Sequence, residues 1–143
     1  MRVLKTMMGS LSSLNSDQVV ATMTPEKQQA ALSFLLASRS GAGFLHDLQH
    51  QCGDLQRITS PTLVIESKYD GSVDDSHANY AADHIPHAEL FISPEESHLM
   101  WFSAYNGAIE EKMGVFCSSK EASLHTLYCV SVKCIEIREM SHA

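Results

Sequence analysis

The sequence predicts an α/β fold built around one β-α-β unit between residues 60 and 102. A continuous apolar run in Thr62–Glu66 is typical of a strand that is covered on both faces, as in a parallel sheet. Small residues at helical spacing follow in Ser76–His84, and a second short strand is predicted at Glu89–Ile92. A strand, a helix and a second strand in this order predict parallel strands joined by a right-handed crossover.

The composition is that of a globular protein, because 44% of the 143 residues are hydrophobic and 19% are charged. The formal net charge is -7 and the ten Lys and Arg are scattered, which argues against a nucleic-acid partner or an anionic membrane. No apolar run approaches the ~18 residues that span a bilayer, and the first eight residues lack a signal-peptide core. The four cysteines form no CxxC pair. We therefore expect reduced thiols and a cytoplasmic protein.

The first 53 residues are predicted to be mostly helical. A weak helical pattern covers residues 1–23, and its apolar side consists of Val3, Leu4, Met7, Met8 and Leu11. Thr24 as the N-cap and Pro25 at the first helical position begin a clearer helix. The apolar face of that helix comprises Ala30, Leu32, Leu35 and Leu36, and Gly41 or Gly43 ends it. A further short helix carries Phe44, Leu45 and Leu48 and ends at Gly53.

The C-terminal part is predicted to begin with a helix from Leu99 to Met113, in which Gly107 is a weak point. A polar linker, CSSKEAS, follows at residues 117–123. The sequence LHTLYCVSVKCIEI at residues 124–137 is rich in β-branched and aromatic residues and predicts a strand or hairpin. The chain thus divides into a helical segment (1–53), the β-α-β unit with its helix (54–115) and a β-rich tail (116–143).

Two residues in this pattern are candidates for catalysis. Asp70 follows the first strand in KYDGSV, and His98 follows the second strand in PEESHLMW. Open α/β sheets place functional residues beyond the carboxyl ends of their strands. An acid that orients an imidazole, and a histidine that transfers the proton, are two of the three members of a hydrolytic triad. Separately, Asp70 could be a turn residue and His98 a helix-start residue; together, on consecutive strands, they favour a functional pair.

The segment from about Asp54 to Met113 resembles the C-terminal part of the α/β-hydrolase-fold family. Four features carry the resemblance in this order: the PTLVI strand, the D-G-x-V turn, the A-x-x-I-P-x-A-E-L step and the S-H-L-x-W loop. The resemblance implies that these are the last two core strands of that fold, with Asp70 as the triad acid and His98 as the triad histidine. Residues up to about Gln51 resemble the end of the helical cap that this family often inserts before these strands.

The third triad member has no counterpart in the sequence. The family carries its nucleophile on a G-x-S-x-G elbow before the acid, and no such pentapeptide occurs here. The nearest pattern, GSLSS at Gly9–Ser13, has the wrong spacing and follows no strand, and Cys52 lies in a cap-like turn without an elbow. Two smaller departures are Asp74, where the family usually has Pro, and Ser97, where it usually has Gly before the histidine.

The resemblance implies a fragment of a hydrolase, most simply one that hydrolyses a small ester-like substrate, without a cofactor and inactive by itself. The alternative is a non-catalytic oligomerisation or regulatory module. Because a two-stranded sheet leaves an unpaired edge, we expect either that Tyr128–Ile137 covers it or that the protein forms a homodimer. A weaker alternative is metal binding by one of two histidine groups, which are His46 with His50, and Asp83 with His84 and His87.

Overall fold

The computed structural model describes residues 2–37, 53–103 and 106–119, and it shows helices packed around a two-stranded parallel sheet. The predicted α/β class is confirmed. In chain order the elements are α1 (Arg2–Leu11), α2 (Ser16–Thr22), α3 (Pro25–Ala37), a 3-10 helix (Leu55–Arg57), β1 (Thr62–Ser67), α4 (Asp75–His84), β2 (Ala88–Ser93), a second 3-10 helix (Met100–Phe102) and α5 (Gly107–Ser119).

The weak helical pattern of residues 1–23 corresponds to two helices, α1 and α2. The Asn15 side chain separates them, because its Oδ1 accepts a hydrogen bond from the Asp17 N–H at 2.9 Å and caps α2. The predicted start of α3 is confirmed, since the Thr24 hydroxyl oxygen accepts a hydrogen bond from the Lys27 N–H at 3.3 Å. Side-chain caps thus place both helix starts.

One hydrophobic cluster joins these three helices to the segment that follows His98. Its buried members are Leu4, Met8, Val19, Val20, Met23, Ala31 and Leu99. Two predicted faces need correction. Val3 is 54% exposed, and α3 buries Ala31 while it exposes Ala30 and Leu36. Helix α3 turns Ala31 to the cluster, where a small side chain permits close packing, and Leu32 and Leu35 are half-buried.

The β-α-β unit agrees with the prediction to within one residue at most of its boundaries. Strands β1 and β2 are parallel, in a register that runs from Thr62 opposite Ala88 to Ser67 opposite Ser93. A second buried cluster, formed by Val64, Ala81 and Ile85, packs α4 against β1. The Ile85 N–H donates to the Ala81 carbonyl at 3.0 Å, and Pro86 follows where the helix ends.

The predicted helix from Leu99 to Met113 is wrong at both ends. A 3-10 turn occupies Met100–Phe102, and α5 begins only at Gly107, where the Asn106 carbonyl accepts hydrogen bonds from the N–H groups of Ile109 and Glu110. The helix then continues through Gly114 to Ser119, so the first residues of the predicted linker are helical. The physical reason is burial, because Phe116 lies two residues beyond that glycine and is buried.

Several predictions lie outside the described residues. These are the helix predicted from Phe44, the groups His46 with His50 and Cys52, and the strand or hairpin of the tail. Among the described helices, none combines the length and the hydropathy that crossing a membrane requires.

Candidate functional site

The carboxyl ends of the two strands are joined by serine side chains. Ser67 and Ser93 are paired in register, and both are buried. The Ser67 hydroxyl donates to the Glu95 carbonyl at 2.7 Å and accepts from the Tyr69 N–H at 3.2 Å, so it links the loops after β1 and β2. The Ser93 hydroxyl accepts from the Glu95 N–H at 3.2 Å. These bonds bring the two loops together at the carboxyl ends of β1 and β2.

Asp70 and His98, which the sequence singled out, are in direct contact. His98 Nδ1 lies 2.7 Å from Asp70 Oδ2. The other carboxylate oxygen, Oδ1, accepts hydrogen bonds from the N–H groups of Ser72 at 2.7 Å and Val73 at 2.9 Å. The Asp70 side chain is 6% exposed and that of His98 is 25% exposed. The carboxylate is therefore fixed by three donors, and the hydrogen bond at Nδ1 leaves Nε2 as the ring nitrogen for a reacting group.

The environment of Asp70 favours its charged form. Burial alone would raise the pKa of this carboxyl, but the hydrogen bond from His98 and the two backbone N–H donors outweigh it and hold the pKa below its usual range. The charge of a protonated His98 would act in the same direction. An ionised carboxylate at this position can orient the imidazole and stabilise the imidazolium when it forms.

A segment from the N-terminal part, which we call the Leu11–Ser13 strap, runs across both loops. Ser12 forms an isolated antiparallel bridge with Asp70, and the Ser13 N–H donates to the Tyr69 carbonyl at 2.9 Å. The Leu11 carbonyl accepts from the N–H of His98 at 2.7 Å. The last three residues of the GSLSS pentapeptide thus lie at the site. Sequence reasoning missed this contact, and the only signal for it was the cluster of serines at the end of a helix.

The Ser12 side chain does not have the role of an elbow serine. Its hydroxyl donates to the Glu96 carbonyl and accepts from the Leu14 N–H at 3.1 Å. The residue is buried and follows a helix rather than a strand. Its single hydroxyl proton is therefore used within the protein and is not shared with His98.

A small cavity of about 30 Å³ lies between β1, α4 and the two loops, and Glu66, Asp70, His77 and His98 are among its lining residues. This volume has room for one or two water molecules. Glu66 is buried, and its Oε2 makes no hydrogen bond with any described residue. Burial raises the pKa of Glu66, and the negative charges of Asp75, Asp70 and Asp74 raise it further. The sequence held a signal for this feature, since TLVIE places a carboxyl within an apolar strand.

A second carboxylate is buried without a partner in the loop after β2. Glu95 is 1% exposed, and neither of its side-chain oxygens bonds with a described residue. The backbone of Glu95 holds this loop against the strand ends, because its N–H and carbonyl bond the hydroxyls of Ser93 and Ser67. The sequence reasoning did not single out this residue, since PEES resembles an ordinary polar loop.

No three His, Cys, Asp or Glu side chains in residues 2–37, 53–103 and 106–119 are grouped to hold a metal ion. Of the second histidine group, His84 instead directs Nδ1 to the Tyr80 carbonyl at 2.8 Å and stacks on the Tyr80 ring at 3.8 Å between centroids. The interaction joins residues one turn apart in α4, so His84 has a structural role within this helix.

Comparison with known proteins gives one informative match. The chain is 36% identical over 101 residues to a Bacillus subtilis (strain 168) protein named Uncharacterized hydrolase YcgS. The aligned region covers 68% of this chain but spans only 36% of the relative's length. No family model matches the chain, and no solved structure matches it significantly. The chain is thus similar to part of a protein that is named as a hydrolase.

Proposed function

We propose that this chain supplies the acid and the base of a hydrolytic triad, and that Asp70 and His98 are these two residues. The reaction we infer is hydrolysis of a small ester-like substrate on an α/β-hydrolase fold. The observation that carries the proposal is the hydrogen bond between His98 Nδ1 and Asp70 Oδ2, with the second carboxylate oxygen held by two backbone N–H groups. The similarity to a protein named as a hydrolase supports the same reaction class.

In the proposed reaction, Asp70 remains ionised and holds the Nδ1 proton, so that Nε2 of His98 accepts a proton from a nucleophile and later returns it to the leaving group. The nucleophile and the groups that stabilise the oxyanion lie on a segment outside these 143 residues, which contain no G-x-S-x-G pentapeptide. We therefore expect no ester hydrolysis from this chain alone. We expect the protein to be cytoplasmic and the reaction to need no cofactor.

A chimera tests the proposal directly. The 101 matching residues of this chain replace their counterpart in the Bacillus relative, and hydrolysis of p-nitrophenyl esters is measured for the relative, the chimera and the chain alone. We expect activity in the relative and the chimera. In the chimera, Asp70→Asn should lower kcat by about 10⁴-fold, and His98→Ala should lower it by a comparable factor.

Matched controls are available on the exposed side of the same unit. Asp83→Asn and His87→Ala remove the same chemical groups from exposed positions at the end of α4 and after it. Both should leave kcat within twofold of the unmodified chimera. If the chimera hydrolyses esters equally well with and without His98, the assignment of the base is wrong.

The alternative function, an oligomerisation module, has one specific observation in its favour. The sheet described here has two strands, so each has an outer edge that pairs with no other described strand. Ile92 on β2 is 46% exposed, and an apolar edge of this kind can pair with a second copy of the chain. Light scattering of the purified chain tests the homodimer. Under this alternative, Ile92→Lys should shift the mass from dimer to monomer, and His98→Ala should not.

A further inference from the structure

A single backbone oxygen, the Leu11 carbonyl, bonds both of the loops that carry the candidate pair. The Leu11 carbonyl accepts hydrogen bonds from the His98 N–H at 2.7 Å and from the Gly71 N–H at 3.3 Å. Gly71 follows Asp70 in the chain, so this oxygen bonds the base and the neighbour of the acid. A carbonyl has two lone pairs, and both are used here. One atom of the strap thus bonds both loops and contributes to their relative position.

The Ser12 side chain adds a second connection to the loop after β2, which carries His98. Its hydroxyl donates to the carbonyl of Glu96, two residues before His98, and the same oxygen accepts from the Leu14 N–H. On the acid side, the Ser13 N–H donates to the Tyr69 carbonyl at 2.9 Å. The strap therefore contacts the chain on the N-terminal side of both candidate residues as well as at His98 itself.

The strap approaches the loop after β1, which carries Asp70, so closely that a glycine is required there. A Cβ added at Gly71 would lie 2.6 Å from the carbonyl carbon of Ser12 and 2.8 Å from its nitrogen. These atoms are backbone atoms, which cannot rotate away as a side chain can. Gly71 thus leaves room for the strap.

We propose that the Leu11–Ser13 strap is the element that positions the Asp70–His98 pair, and that Ser12 is a positioning residue for His98. The inference rests on the proposed function for its catalytic meaning. A displacement of the imidazole by about 1 Å can cost about 100-fold in rate, so an element that fixes both loops controls activity without touching the substrate. The strap begins where α1 ends, and α1 is anchored in the hydrophobic cluster by Leu4 and Met8.

The test uses the full chain and observes the Nδ1 proton of His98 by NMR, which requires no nucleophile. In the unmodified protein this proton should give a low-field signal that exchanges slowly with water, because it is hydrogen-bonded to Asp70. Ser12→Ala should accelerate its exchange by at least about tenfold while the circular dichroism of the chain stays unchanged. Ser12→Thr keeps the hydroxyl and should restore slow exchange.

Ser10→Ala is the matched control, because Ser10 is exposed and, among the described residues, its hydroxyl bonds only the Met7 carbonyl of its own helix. It should leave the signal unchanged. A second pair of variants tests the same strap through the backbone. Gly71→Ala introduces the clash with Ser12 and should broaden or abolish the signal, whereas Gly9→Ala, where a Cβ meets nothing within 4 Å, should not.

The outcomes separate the two proposals. If the unmodified chain shows no hydrogen-bonded Nδ1 proton, the pair itself, and with it the proposed function, is wrong. If the unmodified chain shows the signal and both Ser12→Ala and Gly71→Ala retain it while folded, the pair stands and the positioning role of the strap is wrong. If Gly71→Ala fails to fold, the Ser12 variants alone decide.

Discussion

Leu4 and Leu99 are buried in the same hydrophobic cluster, although one lies in the first helix and the other directly follows His98. The packing of the N-terminal helices and the position of the loop that carries His98 therefore depend on the same hydrophobic cluster. A change that loosens α1 should be felt at the loop, because Leu99 loses packing partners when the cluster opens.

Leu4→Ala should lower the free energy of unfolding by about 2–5 kcal/mol, because it leaves a cavity in a fully buried site. Val3→Ala is the matched control. It truncates an apolar side chain one position away that is mostly exposed, and it should change the free energy by less than about 0.5 kcal/mol. Urea unfolding at pH 7 measures both. Equal effects of the two substitutions would contradict the assigned face of α1.

The lowered pKa of Asp70 predicts a loss of stability in acid. A carboxyl whose pKa is lower in the folded state stabilises the protein fully above its unfolded pKa of about 3.9, and this contribution disappears as the pH falls below that value. Urea unfolding from pH 6 to pH 3 should therefore show a decrease in stability that is smaller in Asp70→Asn. If the two proteins lose stability in parallel, the hydrogen bonds assigned to this carboxylate contribute nothing in solution.

Glu66 should show the opposite pH dependence. Its pKa is raised by burial and by the neighbouring acidic groups, so the folded chain loses stability as the pH rises from about 4.3 through the folded-state value. Glu66→Gln removes this loss. The variant should gain stability relative to the unmodified protein between pH 4 and pH 7. Glu111→Gln, which removes an exposed carboxylate from α5, controls for the change in net charge.

Gly114 in the middle of α5 offers a stabilising substitution. A Cβ at this position meets nothing within 4 Å, and alanine costs less conformational entropy in a helix than glycine. Gly114→Ala should raise the free energy of unfolding by about 0.5–1 kcal/mol. Thermal unfolding followed by circular dichroism measures the shift. A decrease would mean that α5 does not pass through Gly114 as a regular helix.

The β-α-β unit could be predicted from the sequence because each of its signals is local. The apolar run of β1, the small residues of α4 and the stop at Pro86 each specify their own element, and the order of the elements then brings the ends of β1 and β2 together. The proximity of Asp70 and His98 follows from that topology. The apolar pattern of residues 1–23 is too weak to show where α1 ends and α2 begins.

The strap and the buried carboxylates could not be predicted in the same way. Leu11 contacts distant segments through its backbone carbonyl, and Ser12 does so through its backbone and its hydroxyl. The serines that end α1 do not specify which distant segment they meet. Glu95 lies in a loop sequence that suggests exposure, yet the loop folds inward onto the strand-end serines. The sequence predicts a helix that ends at Met113, whereas α5 continues through Gly114 to Ser119 and buries Phe116.

The bonds between the strap and the two loops join segments far apart in the chain, since residues 11–13 meet residues 69–71 and 96–98. Closing such long loops is slow compared with forming a helix or a local turn. During synthesis the strap emerges well before either of the loops that it holds. The candidate pair should therefore acquire its geometry among the last events of folding, after α1–α3 have formed, and slow refolding of the Asp70–His98 contact relative to helix formation is the kinetic consequence.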